Sequence, residues 1–288
     1  MVYIEAIQLY PWLLFVTAAL AGLCVGSFLN VVIHRLPRMM EAQWRAECAS
    51  LDGGTPPEPT EPYNLFRPGS RCPGCGTAIR AWQNVPVVSW LWLRGRCAAC
   101  RAPIRFRYPA VEIAAGALAV VMAWRFGATG AALAAMVFAW ALLALTFIDF
   151  DTQLLPDDIT FPLLWLGLLV NAFGTFVDLR SAVFGAAGGY LLLWLVYWAF
   201  RLLAKKEGMG YGDFKLLAAL GAWTGWQVLP FMVLVSAGLG AVIGGLLLWR
   251  SKSGADTRIP FGPYLALGGL AGLAFGRQAI VAWVGYFP

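Results

Sequence analysis

Four cysteines and two groups of carboxylates are the residues here best suited to chemistry. Cys72-Pro-Gly-Cys75-Gly is followed by Cys97-Ala-Ala-Cys100, with 21 residues between Cys75 and Cys97. Each pair is a C-x-x-C, and the Pro-Gly-Cys-Gly turn lets backbone amides approach sulfur while two thiolates face one ion. Four thiolates complete a closed tetrahedral site, the structural kind of Zn²⁺. The interval slightly exceeds the usual window, so two disulfides, an iron–sulfur or rubredoxin-like centre and unpaired thiols stay open as alternatives. Reduced thiols of a cytoplasmic segment argue against disulfides. A coordination shell filled by protein argues against a catalytic metal. Cys24 falls inside an apolar run and reads as packing; Cys48 reads as a lone loop thiol.

The carboxylates lie at the ends of apolar runs. Asp149, Asp151, Asp157 and Asp158 fall within ten residues, and Gly208-Met-Gly210-Tyr-Gly212-Asp213 follows a later run. Ionisable groups at membrane depth are costly, and they mark function. Two apposed carboxylates suit peptide hydrolysis, because like charges at short range hold one proton between them. The ionised member takes a proton from water, and the protonated member polarises the scissile carbonyl and helps the amide nitrogen leave. The glycines permit an unusual backbone and close approach of an extended substrate. The plainer reading makes all of these aspartates helix-end residues in the wet interface. It suits Asp151, Asp157 and Asp158 best, with Asp158 capping a helix and Pro156-Asp157 forming a turn. The candidate catalytic pair is Asp149 with Asp213.

The elements that position these groups are transmembrane helices. Of 288 residues 60% are hydrophobic and 12% charged, and apolar runs of about 20 residues recur. They parse into about eight spans: 10–33, 109–126, 130–148, 159–177, 181–204, 214–226, 228–249 and 261–284. The sixth is short and suits a half-helix. The first is too long for a signal-peptide core and lacks a basic region before it, so it reads as a retained helix. The fold class expected is an all-α polytopic membrane protein. Its segments are a first helix (1–33), a cytoplasmic four-Cys domain (34–108, with a flexible loop at Thr55–Pro62) and a bundle (109–288).

Charge sets the orientation. Alternating spans put 18 of the 21 Lys and Arg on the side of the four-Cys segment, leaving Arg125, Arg180 and Arg277 opposite. That bias makes the segment cytoplasmic and puts both carboxylate groups at the same boundary, with the termini outside. The basic residues of 34–108 are thereby explained, and without a basic helix or recognition motif nucleic acid is not a partner; the lipid bilayer is.

Taken together, Gly26-Ser-Phe-Leu-Asn30-Val-Val-Ile-His34-Arg35-Leu-Pro37, the C-x-x-C pairs, Ser89-Trp-Leu-Trp-Leu-Arg94-Gly95-Arg96-Cys97, Arg107-Tyr-Pro-Ala-Val-Glu112, Asp149 to Asp157, the G-x-G-D at Asp213 and Ile259-Pro-Phe-Gly-Pro263 resemble the bifunctional type IV prepilin leader peptidase / N-methyltransferase family, over nearly the whole chain. The resemblance implies that Asp149 and Asp213 are the catalytic dyad. It implies that the substrates are type IV prepilins or type II secretion pseudopilins, cut after a Gly and usually before a Phe. It further implies that the new N-terminus is methylated with S-adenosylmethionine, that Gly95 matters for methylation, that Zn²⁺ sits on the four cysteines, and that the protein lies in the bacterial inner membrane with its active site at the cytoplasmic face. No Gly-rich strand–turn–helix fingerprint of a nucleotide fold is present, so the methyl donor rests on resemblance alone. Trp82, Trp90 and Trp92 offer it a surface, or serve as a membrane belt. His34 suits an interfacial role or contact with a ligand; Glu112 suits pairing with Arg107 or recognition of a substrate amine.

Two other readings compete. A presenilin-like intramembrane G-x-G-D protease needs two Asp but leaves the four-Cys domain unexplained. A non-enzymatic zinc-binding assembly protein, or a small transporter, accounts for the cysteines or the helices. A transporter would place its carboxylates near the midplane, whereas these fall at helix ends.

Overall fold

The computed structural model describes residues 10–51, 63–205, 209–250 and 260–284. The Thr55–Pro62 loop, Lys206, Glu207, Gly208, Lys252, Arg258 and Ile259 lie outside them. Among the described residues the regular secondary structure is helical, apart from two isolated antiparallel bridges, Arg71 with Ala78 and Arg96 with Pro103. The chain divides into two compact units, Met1–Ala132 and Leu133–Pro288.

The first unit contains α1 (Trp12–Leu51), a 3-10 turn (Ala81–Asn84), α2 (Val88–Trp92) and α3 (Arg107–Phe126). Small residues bring α1 and α3 together. A Cβ added at Gly22 would stand 2.6 Å from the Ala115 carbonyl oxygen, and one at Gly26 2.6 Å from Glu112 Cα. This is the close backbone approach that small residues four apart allow in membranes. The expected end of the first helix at Ile33 is not observed, because α1 continues to Leu51. Its extension swaps apolar periodicity for helix formers and i,i+4 pairs: Glu41 with Arg45 at 2.6 Å and Gln43 with Glu47 at 3.0 Å. Cys48 is therefore helical and exposed, and Cys24 is exposed on α1 rather than packed.

The second unit contains α4 (Gly130–Thr152, beginning just before the boundary), α5 (Asp157–Ala172), α6 (Leu179–Ala204), α7 (Tyr211–Thr224), a 3-10 turn (Trp226–Val228), α8 (Leu229–Arg250) and α9 (Gly262–Val284). At its centre α7 runs almost wholly buried from Asp213 to Thr224. Gly185 of α6 and Gly221 of α7 cross so closely that a Cβ on either would overlap the other's carbonyl. The far end of α7 is held by polar contacts. Asn171 Nδ2 donates to the Ala222 and Trp223 carbonyls at 2.8 and 3.1 Å, and Trp223 Nε1 donates to the Leu163 carbonyl at 2.8 Å. A buried helix end needs such partners.

All eight apolar runs are helical in the described residues, but five helices are long and apolar enough to cross a membrane: Trp12–Leu51, Arg107–Phe126, Gly130–Thr152, Leu179–Ala204 and Trp226–Leu246. With 16 and 14 residues, α5 and α7 reach only about 24 and 21 Å against a hydrocarbon core of about 30 Å. The fourth expected span begins at Asp157 and ends at Ala172. Its N-cap is Pro156, so Asp158 does not cap it; Asp157 and Asp158 occupy its first turn, where acids complement the helix dipole.

Candidate active site and metal centre

Burial of Leu142, Leu145 and Ile148 on α4 carries its last turns into the bundle, and Asp149 arrives there 5% exposed. Asp213, 7% exposed, sits in the first turn of α7 after the extended residue Gly210. A third helix end meets them. Gly262, which opens α9, donates its amide to Asp149 Oδ2 at 2.9 Å. The N-terminus of a helix is the end that favours an anion, and Pro263, lacking an amide, suits the position that follows.

Leu155 ties these ends together. A Cβ at Gly212 would stand 2.9 Å from Leu155 Cβ, and one at Gly262 would stand 2.6 Å from Asp149 Oδ2 and 3.2 Å from Leu155 Cδ2. Both positions therefore require glycine for packing. Among the described glycines of the G-x-G-D segment, neither Gly210 nor Gly212 has positive φ, and Gly212 faces Leu155 rather than open space. The expected unusual backbone is absent there.

The neighbouring aspartates separate by role. Asp157 takes both of its oxygens to Lys215 Nζ, at 2.8 and 2.7 Å, which couples the start of α5 to the start of α7 two residues beyond Asp213. Asp151 and Asp158 are exposed. Behind Asp213, Tyr197 packs its ring 5.4 Å from Tyr211 and 5.6 Å from Phe214, and its hydroxyl accepts from Arg201 at 3.1 Å. Sequence reasoning missed Leu155, Tyr197, Lys215 and Gly262. For Gly262 the signal was present, in the Pro-Phe-Gly-Pro start of the last helix.

In the first unit the cysteines come together. Their four Sγ atoms all lie within 4.8 Å of one another, and those of Cys72 and Cys100 are 3.8 Å apart. A tetrahedral ion with bonds of about 2.3 Å separates its sulfurs by about 3.8 Å, whereas a disulfide needs about 2.05 Å. The two knuckles repeat one bonding scheme. Cys72 N donates to Thr77 O and Cys97 N to Ala102 O, each over a residue in the left-handed region, Gly76 (φ 69°) and Arg101 (φ 61°). Cys75 is drawn down to about 6 by the Thr77 hydroxyl and amide, and the Cys100 and Ala99 amides lower Cys97. The donor set fits a thiolate-bound metal.

Other candidates have structural partners. Gly95 has φ 66° and a Cβ there would stand 3.0 Å from the Trp90 ring; it makes the turn from α2 into the second knuckle. Trp90 donates Nε1 to the Ile104 carbonyl at 3.2 Å and packs edge-on to Phe106. Glu112, nearly buried, accepts the Val87 amide at 2.7 Å. His34 is exposed on α1.

Fold and site define a multi-pass helical membrane protein with two buried aspartates at meeting helix ends and a four-thiol cluster in a separate unit. Residues 20–126 match the model of the bacterial peptidase A24 N-terminal domain, and residues 136–245 that of the type IV leader peptidase family. The chain belongs to the type IV leader peptidase family. It is 51% identical to a prepilin leader peptidase/N-methyltransferase of Stutzerimonas stutzeri over 98% of this chain and 97% of that protein. The protein of the same description from Pseudomonas aeruginosa is 52% identical over 93% of each chain, and that from Aeromonas salmonicida 54% over 95% and 94%. No solved structure matches the chain with comparable significance.

Proposed function

We propose that this chain is a membrane aspartyl endopeptidase that removes the leader peptide of type IV prepilins and pseudopilins, and that it methylates the new N-terminal residue with S-adenosylmethionine. The observation that carries the first activity is that Leu155 packs against both Gly212, next to Asp213, and Gly262, whose amide binds Asp149, so the two acidic helix ends meet there. The second rests on kinship with enzymes of both activities.

One ionised carboxylate of the pair takes a proton from the attacking water. Its partner donates a hydrogen bond to the scissile carbonyl and then a proton to the leaving nitrogen. The Gly262 amide holds Asp149 in one orientation, and the dyad titrates as a unit. The Asp157–Lys215 pair and the Tyr197 aromatic cluster keep the first turn of α7 in place. Cys72, Cys75, Cys97 and Cys100 would hold Zn²⁺ in a closed, structural site, which staples the two knuckles of the 34–108 segment. S-adenosylmethionine, when bound, supplies the methyl group; Gly95 acts on that reaction by shaping the knuckle beside it.

Within the second unit, the dyad ends of α6 and α7 carry Arg201, Lys205 and Lys215, and the far end of α6 carries Arg180. That bias supports an active site at the cytoplasmic face of the bacterial inner membrane. Eight spans then include the short α5 and α7, of which α7 is enclosed by its neighbours.

The test is mass spectrometry of a prepilin incubated with the purified protein, with and without S-adenosylmethionine. Asp149→Asn and Asp213→Asn should each abolish cleavage and leave methylation of pre-cleaved pilin intact. Normal cleavage by both variants would refute the dyad, and a cut inside the apolar helix would favour the intramembrane reading.

A further inference from the structure

The small segment between the 3-10 turn and the second knuckle leaves its largest apolar side chains outside. Val88, Leu91 and Trp92 share one face of α2 at i, i+3 and i+4, and they are 57, 62 and 77% exposed. Trp82, 50% exposed, extends the face, its ring centroid 6.3 Å from that of Trp92. Two neighbouring tryptophans on so small a unit form a patch of the kind that marks an interaction surface.

The depth of this patch is set by α3. Val87, which caps α2 at φ 59°, donates its backbone N–H in a hydrogen bond to the Glu112 carboxylate. Positive φ is an outlier for a β-branched residue, and the surrounding structure keeps it. Glu112 lies five residues inside α3, about 7–8 Å along the helix from Arg107. Trp90 packs against Phe106, immediately before α3 begins, and Asn30 of α1 donates to the Tyr108 carbonyl at 3.1 Å. Thus α2 folds back beside the first turns of a helix long and apolar enough to cross a membrane. An interfacial helix buries its apolar face about 5–10 Å into the boundary between headgroups and acyl chains, the same depth. Exposed Arg80, Arg94, Arg96 and Arg105 flank the segment, and arginines beside tryptophans suit an anionic leaflet.

We propose that residues 81–93 are an interfacial membrane anchor, whose Trp82–Val88–Leu91–Trp92 face is seated in an anionic lipid leaflet with the flanking arginines on its phosphates. The occupant is lipid rather than a protein or a nucleoside, because the patch is held alongside the boundary turns of α3 and its flanks carry positive charge. The anchor presses the second knuckle, which begins five residues after Trp92, and with it the four-thiol cluster, against the membrane surface. The inference is independent of the proposed activities.

Hydroxyl-radical footprinting of the full-length protein in nanodiscs, one copy per disc, tests it. Trp44, 45% exposed on the polar extension of α1, is the reference. In phosphatidylglycerol-containing discs Trp82 and Trp92 should be oxidised several-fold more slowly than Trp44, and the protection should weaken in pure phosphatidylcholine discs. A Leu91→Glu, Val88→Glu variant should lose the protection while keeping its metal content. Oxidation of Trp82 and Trp92 as fast as Trp44 would overturn the proposal. So would protection that appears only on adding a prepilin, S-adenosylmethionine or a second copy, since the face would then belong to that partner.

Discussion

The knuckle region and α7 solve the same problem by opposite means. Between residues 63 and 106, Cys72 is the one buried side chain, whereas eleven of the fourteen residues of α7 are buried. The knuckles are short turns with too little apolar area to form a core, so sulfur and main-chain bonds must hold them. By contrast α7 is too short to span a bilayer alone; longer helices enclose it, and glycine contacts let them approach. A region built on one staple fails when the staple is removed. A region built on packing tolerates exposed changes and fails at its close contacts.

The largest expected effect tests the packed side. Beyond the loss of cleavage in the Asp variants, Gly262→Ala places a methyl 2.6 Å from Asp149 Oδ2 and must move the carboxylate. Misplacement of this size should lower kcat about 100-fold with little change in KM, measured on a prepilin peptide. Next comes the stapled side. Metal removal by a chelator should speed amide exchange across residues 70–104 and leave residues 213–224 protected, read by hydrogen-exchange mass spectrometry. Equal loosening of both regions would erase the contrast. A milder change sharpens it: Thr77→Val removes the hydroxyl that supports the Cys75 thiolate and should weaken metal affinity about 10-fold, measured by competition with a chromogenic chelator. The smallest effect is expected at Lys215→Met. The pair with Asp157 is partly exposed, so its loss should cost at most about 1 kcal/mol of stability, visible as a slight fall in Tm.

Much of this molecule was legible from sequence because its signals are local. Apolar runs mark helices whatever their neighbours, and C-x-x-C spacing brings two thiolates to one point by the turn it closes. The failures were also local in origin. The extension of α1 past Ile33 carries no apolar periodicity, so it read as a loop. Asp158 had the right residue type for a cap, but Pro156 occupies that position.

What the amino-acid order alone determined is an inventory: helices, a thiolate set, and two aspartates of unusual cost to bury. Folding decided which of these meet. The Gly262 amide reaches Asp149 across 113 residues, and Glu112 finds the Val87 amide across 25. No periodicity carries such partners. They follow from helix crossings permitted by glycine at single contact points, and each crossing depends on the shape of both surfaces at once.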